Sequence, residues 1–327
     1  MRPNPRCGTV LALEITVDSL AVAAVGLGGE TLDEVRIDRG RDRISVDETV
    51  ADLAELARVL LARLPGRDSL IGIGVAVVGI VRRADGFVTM APNLGWRDVP
   101  LGERLAAALD TTLPIVVANE ADLGALAEWR RGAAVGADHV LFVSGEVGVG
   151  GGLIVDGKQL TGAAGYGGEI GHMPVNPDGS RCRCGSIGCW ETEVGEGALL
   201  RRAGHPPDAG REGLEAVLSE AAEGSPAVLG ALNAVGRWLG FGIAGLVNVF
   251  NPQVVVLGGM FGRIHPFVEA TLATELARLS LPQSREVVRV APASLGVDAP
   301  LLGAAELAFE PLLADPALWI RPAEATA

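Results

Sequence analysis

The stretch 168-GEIGHMPVNPDGSRCRCGSIGCWE-191 holds three of the chain's four cysteines and one of its four histidines. His172, Cys182, Cys184 and Cys189 offer one imidazole and three thiolates, a donor set suited to a closed, four-coordinate structural zinc site. Gly179, Gly185 and Gly188 let the backbone between them fold back so that the four can converge. A redox pair usually shows two residues between its cysteines, whereas here one residue separates the first two. A disulfide would leave one of three clustered cysteines over, and a reducing compartment disfavours it. A closed site leaves no position for a reacting water, so this zinc is expected to be architectural. Cys7 stands apart and reads as an inert thiol.

The loop so pinned carries a carboxylate at each end, Glu169 three residues before His172 and Glu191 two residues after Cys189. Carboxylates fixed beside an imidazole are suited to hydrogen-bonding vicinal hydroxyls, as on a sugar ring.

Elements able to position such a loop are legible on both sides. VLALEI (10–15) and LAVAAVGL (20–27) read as paired strands. Ser45 opens a capping box with Glu48, and apolar residues keep helical spacing from Val46 until Pro65-Gly66. A buried strand at 70–79, a loop carrying 91-APNLGW-96, a short helix near 101–109 and a strand at 114–119 follow. The pattern then restarts, with strands at 139–145 and 150–157, a helix over 226–250 and a strand at 253–259. A helix near 264–278, a strand at 285–292 and a last helix at 300–310 complete it. Two halves that open alike imply two related α/β lobes facing a cleft: residues 1–117, joined by a C-terminal helix at about 298–312, and residues 118–297 with the zinc loop 169–191. A tail, 313–327, is expected to fray.

With 327 residues, 49% hydrophobic and 20% charged, the chain can bury a large core. Its net charge of −13 argues against nucleic-acid binding by this chain alone. The opening MRPNPRCGTV lacks the apolar region of a signal peptide. Arg237, Asn233 and Asn248 interrupt the most apolar segment, 226–250, which reads as a core helix rather than a membrane span. A cytoplasmic protein without membrane partners is expected.

Gly171-His172, Gly179, Cys182, Cys184-Gly185, Gly188-Cys189 and Glu191 together resemble the signature of the ROK family, named for repressors, open reading frames and kinases. The resemblance runs from about residue 8 to about 310, through APNLGW, VANEADLGALAE, SGEVGVGGGLIVDG and VVVLGG. It implies the two-domain actin-like ATPase fold of sugar kinases and Hsp70, an interdomain cleft and homodimers or higher homo-oligomers. It also implies a small-molecule sugar held by Asn93, Asn119, Glu120, Glu169, His172 and Glu191.

Kinases of that family usually show D-I-G-G-T between their first two strands, where small residues admit ATP phosphates. Here 14-EITVDSL-20 places Val17, Asp18 and Ser19 there, and the aspartate is expected to repel a triphosphate. Kinases carry Asn-Asp as the catalytic segment; this chain has Asn119-Glu120, and the extra methylene displaces the carboxylate by roughly 1 Å, which can cost about 100-fold in rate. A Glu-Val pair replaces a threonine in SGEVGVGGGL, leaving Gly148, Gly150 and Gly151, with Gly258 and Gly259, as weak nucleotide-binding candidates. These departures point to the degenerate kinase body of a sugar-responsive transcriptional regulator that is not an enzyme. Such regulators carry a helix-turn-helix ahead of the body, which this chain does not show; it is expected to meet DNA only with that domain attached. The alternative is an ATP-dependent kinase of a hexose or N-acetylated amino sugar, using Mg-ATP with Glu120 as general base.

Overall fold

The computed structural model describes residues 8–41, 45–64 and 70–316. Cys7, the Pro65-Gly66 helix stop and all but the start of the expected tail lie outside them.

Apolar runs buried on both faces build the centre of each half. Strands β1 (Thr9–Ile15) and β2 (Ser19–Gly26) are buried at every position and pair antiparallel. β3 (Thr31–Asp38) adds to the β2 edge. After helix α1 (Val46–Arg63), β4 (Leu70–Val77) pairs parallel with β1. The Ser45 hydroxyl accepts the Glu48 amide, capping α1 as its sequence indicated.

A small antiparallel sheet then intervenes, β5 (Ile80–Arg82), β6 (Phe87–Ala91) and β7 (Trp96–Pro100), with the APNL segment as the turn between its last two strands. Helix α2 (Leu101–Ala108) and strand β8 (Ile115–Asn119) close a five-stranded sheet of order β3-β2-β1-β4-β8.

Helix α3 (Glu120–Arg131) leads to the second half. There β9 (Val140–Gly145), β10 (Val149–Val155) and β11 (Lys158–Gln159) form an antiparallel run. Four helices follow: α4 (Trp190–Val194), α5 (Glu196–Ala203), α6 (Gly210–Ala222) and α7 (Pro226–Phe250). β12 (Val254–Gly258), α8 (Gly259–Leu279), α9 (Pro282–Val287), β13 (Arg289–Pro292) and α10 (Ala299–Ala314) complete the chain. The second sheet has order β11-β10-β9-β12-β13, the same succession of hairpin and parallel strands as the first. This repeat gives the actin-like α/β fold with open sheets.

α7 is the one helix among the described residues long and apolar enough to cross a membrane. One face, including Leu232, Val235, Leu239 and Ile243, is fully buried in the second lobe's core, as expected of a core helix. The expected strand at 285–292 is a helix in its first half, because Pro282 opens a turn at α9 and only four residues pair with β12. α8 starts at Gly259 rather than near 264, directly at the end of β12.

Candidate functional site

Most of the residues singled out from the sequence line one solvent-open cleft between the two halves. Asn93, Asn119 and Glu120 come from the first-lobe side, and Glu169, His172, Arg183 and Glu191 from the loop opposite; Glu146 and Gly148 form one edge.

Glu120 is placed by its neighbour. Asn119 ends β8 and caps α3, its Oδ1 accepting the amides of Ala121 (2.8 Å) and Asp122 (3.3 Å) while its Nδ2 donates to the Gly79 carbonyl (2.9 Å). Asn119 is thus first a positioning residue, holding Glu120 as the opening residue of the helix. Among the described residues no hydrogen bond reaches the Glu120 carboxylate. Its pKa stands well above the ordinary carboxylate range, chiefly through burial, with Glu146 and Glu14 adding repulsion.

The opposite wall is a folded-back loop. Bridges Pro174–Cys189 and Arg181–Ile187 bring its strands together. Gly188 has φ +66°, and a Cβ there would overlap the Asn176 carbonyl oxygen. Trp190, fully buried, donates from Nε1 to the Trp238 carbonyl of α7 at 2.8 Å, anchoring the loop's end. The ligand atoms of His172, Cys182, Cys184 and Cys189 all lie within 4.8 Å of one another. Cys182 Sγ is 3.7 Å from His172 Nδ1, and Cys184 Sγ is 3.7 Å from Cys189 Sγ. A tetrahedron with metal–sulfur bonds of about 2.3 Å has edges of about 3.8 Å, so the cluster fits a metal ion. Burial raises the Cys182 and Cys189 thiols; a bound cation would supply the opposing charge.

With Nδ1 facing the thiols, His172 turns Nε2 toward Glu169, 3.8 Å away. Glu191 Oε1 accepts the Cys182 thiol at 2.8 Å. A Cβ on Gly148 would lie 2.7 Å from Glu191 Oε2 and 3.4 Å from Asn93 Nδ2, so this glycine admits both side chains to the β9–β10 turn. Gly150 packs on Ala121 and Gly151 on Ile170, while Gly258 packs on Phe142 and Gly259 on Glu146. Each has a packing reason to lack a side chain.

Several neighbours escaped the sequence reading. Arg183, between two of the cysteines, donates to Asn93 Oδ1 at 2.8 Å across the cavity. Asp122, 5% exposed, has its pKa pushed to about 7 by burial, against the pull of Arg83 and with repulsion from Glu169. Glu14, at the end of β1, pairs with Arg36 at 2.7 Å, yet burial pushes its pKa to about 6. Glu146 opens onto the cleft but is crowded by protein. Burial carries its pKa to about 7, with Glu196, Asp18 and Glu14 adding and Arg211 opposing. The expected repulsive aspartate, Asp18, is held by Arg41. At this end Asp18 and Glu14 are therefore paired anions, held by Arg41 and Arg36.

Comparison with known proteins places these features in context. The chain is 29% identical to the xylose repressor of Bacillus subtilis over 95% of its own length and 79% of the repressor's. It is 30% identical to the glucokinase of Streptomyces coelicolor over 93% of this chain and 98% of that one. A ROK family glucokinase from Streptomyces griseus, solved with glucose and AMPPNP, matches with TM-score 0.80 and 28% identity, covering 92% and 99% of the two chains. The expectation of a chain that is not an enzyme is overturned by these matches, because full-length glucokinases share its body as fully as the repressor does. The cluster, the cleft and the repeated sheets accord with the match of the ROK family to residues 10–310, and the chain belongs to that family of sugar-binding kinase and repressor homologues.

Proposed function

We propose that the protein is an ATP-dependent sugar kinase acting on a hexose or N-acetylated amino sugar. The observation that carries this reading is Glu120. Its carboxylate opens α3 on the cleft wall, is free of hydrogen-bond partners among the described residues, and has its pKa raised well above the ordinary carboxylate range by burial, which strengthens it as a base when ionised. The sequence-based concern was its extra methylene relative to aspartate. The Asn119 cap answers it by fixing the helix start from which the side chain extends.

In this reading Asn93, Glu169, His172 Nε2 and Glu191 hold the sugar's hydroxyls. Glu120 accepts the proton of the attacking hydroxyl as its oxygen bonds to the γ-phosphorus and the bond to ADP breaks. His172, Cys182, Cys184 and Cys189 would hold a zinc ion, which when bound would supply only the rigidity of the loop. When bound, Mg2+ would draw charge from the phosphates. The match to glucokinases along nearly their whole length supports the assignment.

A second reading is favoured by the match to the xylose repressor over 95% of this chain: the sugar-closed body also serves a carbohydrate-responsive regulator, meeting DNA through an attached domain. ADP release with Mg-ATP across hexoses and N-acetylated amino sugars tests the kinase reading. Sugar-dependent turnover is expected; none above background with any sugar would contradict it.

A further inference from the structure

The turn between β1 and β2 satisfies its own backbone. Thr16 Oγ1 accepts the amides of Asp18 (3.3 Å) and Ser19 (3.0 Å), and the Thr16 amide donates to the Ser19 carbonyl. Across the cleft, the Glu146 amide donates to the Gly148 carbonyl. The amides of Thr16, Asp18, Ser19 and Glu146 on these two turns are thus already engaged. A polyanion at this end gains from a side-chain cation.

Three arginines face the region from β3 and the segment after it. Arg36 is held by Glu14, Glu34 and Asp298. Arg39 donates to the Thr16 carbonyl at 2.6 Å and to Thr49 Oγ1 at 3.0 Å, bracing the turn from behind. Arg41 alone spans the lobes. Its Nε and Nη2 meet both oxygens of Asp18, at 2.5 and 2.7 Å, and its Nη1 and Nη2 meet both oxygens of Glu196, at 2.5 and 3.1 Å. Asp18 belongs to the β1–β2 turn. Glu196 opens α5, and its amide donates to the Glu146 carbonyl, directly behind the β9–β10 turn. The guanidinium therefore lies between the two turns that flank this end of the cleft, and its side chain stays 26% exposed. A planar fork already gripping two carboxylates has the geometry to grip phosphate oxygens instead.

We propose that Arg41 is the donor-phosphate residue of this protein: its guanidinium is held by Asp18 and Glu196 and passes to the phosphate oxygens of the nucleotide. The inference rests on the kinase reading for the identity of the anion. It also explains how a turn carrying an aspartate can tolerate a triphosphate, because the carboxylates store the cation that the phosphates then use.

The test is calorimetric titration of the zinc-replete chain with Mg-ADP. Arg41→Ala is expected to weaken binding by about 10- to 100-fold, the loss of charge-assisted hydrogen bonds to phosphate. Asp18→Asn and Glu196→Gln are expected to do the reverse, tightening binding several-fold by releasing the guanidinium. A mere tie between lobes predicts otherwise: all three variants break the tie, so all would move together. Same-direction changes, or an unchanged Arg41→Ala, would overturn the assignment. Arg41→Lys keeps the charge without the fork and should fall between wild type and Arg41→Ala, which guards against misfolding of the alanine variant. If wild type binds too weakly to measure, Glu196→Gln must bring binding into range, and failure to do so counts against the proposal. Nucleotide binding with these signs but no sugar phosphorylation would sink the kinase reading and leave Arg41 assigned; turnover with an Arg41-independent KM for ATP would do the opposite.

Discussion

Asp122→Asn should stabilise the protein at alkaline pH and leave it little changed in acid. Asp122 sits in the first turn of α3, 5% exposed, and its carboxyl is held at about 7 instead of 3.8. Because the folded value lies above the unfolded one, the fold favours the protonated acid. That advantage is complete below pH 3.8 and is lost as pH rises through 7. At 1.36 kcal/mol per pH unit, ionising the buried group by pH 8 costs roughly 4 kcal/mol relative to acid conditions. The value of about 7 already includes the attraction of Arg83, so asparagine, which carries no charge at any pH, is expected to recover most of that cost at pH 8, roughly 4 kcal/mol. For a chain of this size that is a rise in Tm of roughly 6 °C. Thermal melts followed by circular dichroism from pH 4 to 8.5 would read it. Wild type should lose stability across that window more steeply than the variant, with the two curves meeting near pH 4. A variant destabilised equally at every pH would refute the reasoning, because it would mean that the carboxylate is needed in its charged form.

Other consequences of the structure are equally direct. Cys184→Ser should lower bound zinc, measured by elemental analysis, from one per chain toward zero, and should weaken sugar binding at least 10-fold as Glu169, His172 and Glu191 lose their frame. Sugar affinity retained in the metal-free variant would detach the loop from recognition. Asn119→Ala removes the α3 cap and should cost about 1 kcal/mol of stability. It should also lower kcat at least 10-fold by misplacing Glu120; KM for ATP should hold, and a matching rise in it would argue against a positioning role.

What could be read in advance follows from how locally each feature is encoded. β2, β9 and β12 are apolar over most of their length, β1 is broken only by Glu14 near its end, and α7 begins with a proline in its first turn, so both kinds of element declare themselves. β3, by contrast, is TLDEVRID, an edge strand only half buried, with charges on both faces. Its strand state comes from pairing with β2, which no local pattern encodes. The metal cluster was visible because three ligands crowd into one segment. The Arg41 clamp was not, since Asp18, Arg41 and Glu196 meet only once the lobes face each other. Asp18 read by itself suggested repulsion of phosphate; beside Arg41 it is a paired anion. Asp122 was hidden for a similar reason, because nothing adjacent in sequence reveals that Gly168 packs close to its carboxyl or that Arg83 and Glu169 act on it.

In the proposed kinase, Glu120 is the base for sugar phosphorylation in this cleft. Phosphorus NMR of wild type and Glu120→Gln, each with Mg-ATP and the hexose that supports most ADP release, tests it most directly. A sugar-phosphate resonance is expected to grow with wild type and to be slowed at least 100-fold by Glu120→Gln, with sugar affinity nearly unchanged. Sugar phosphate formed equally fast by the variant would remove Glu120 from the chemistry. No sugar phosphate from wild type, despite bound sugar, would contradict the kinase assignment itself.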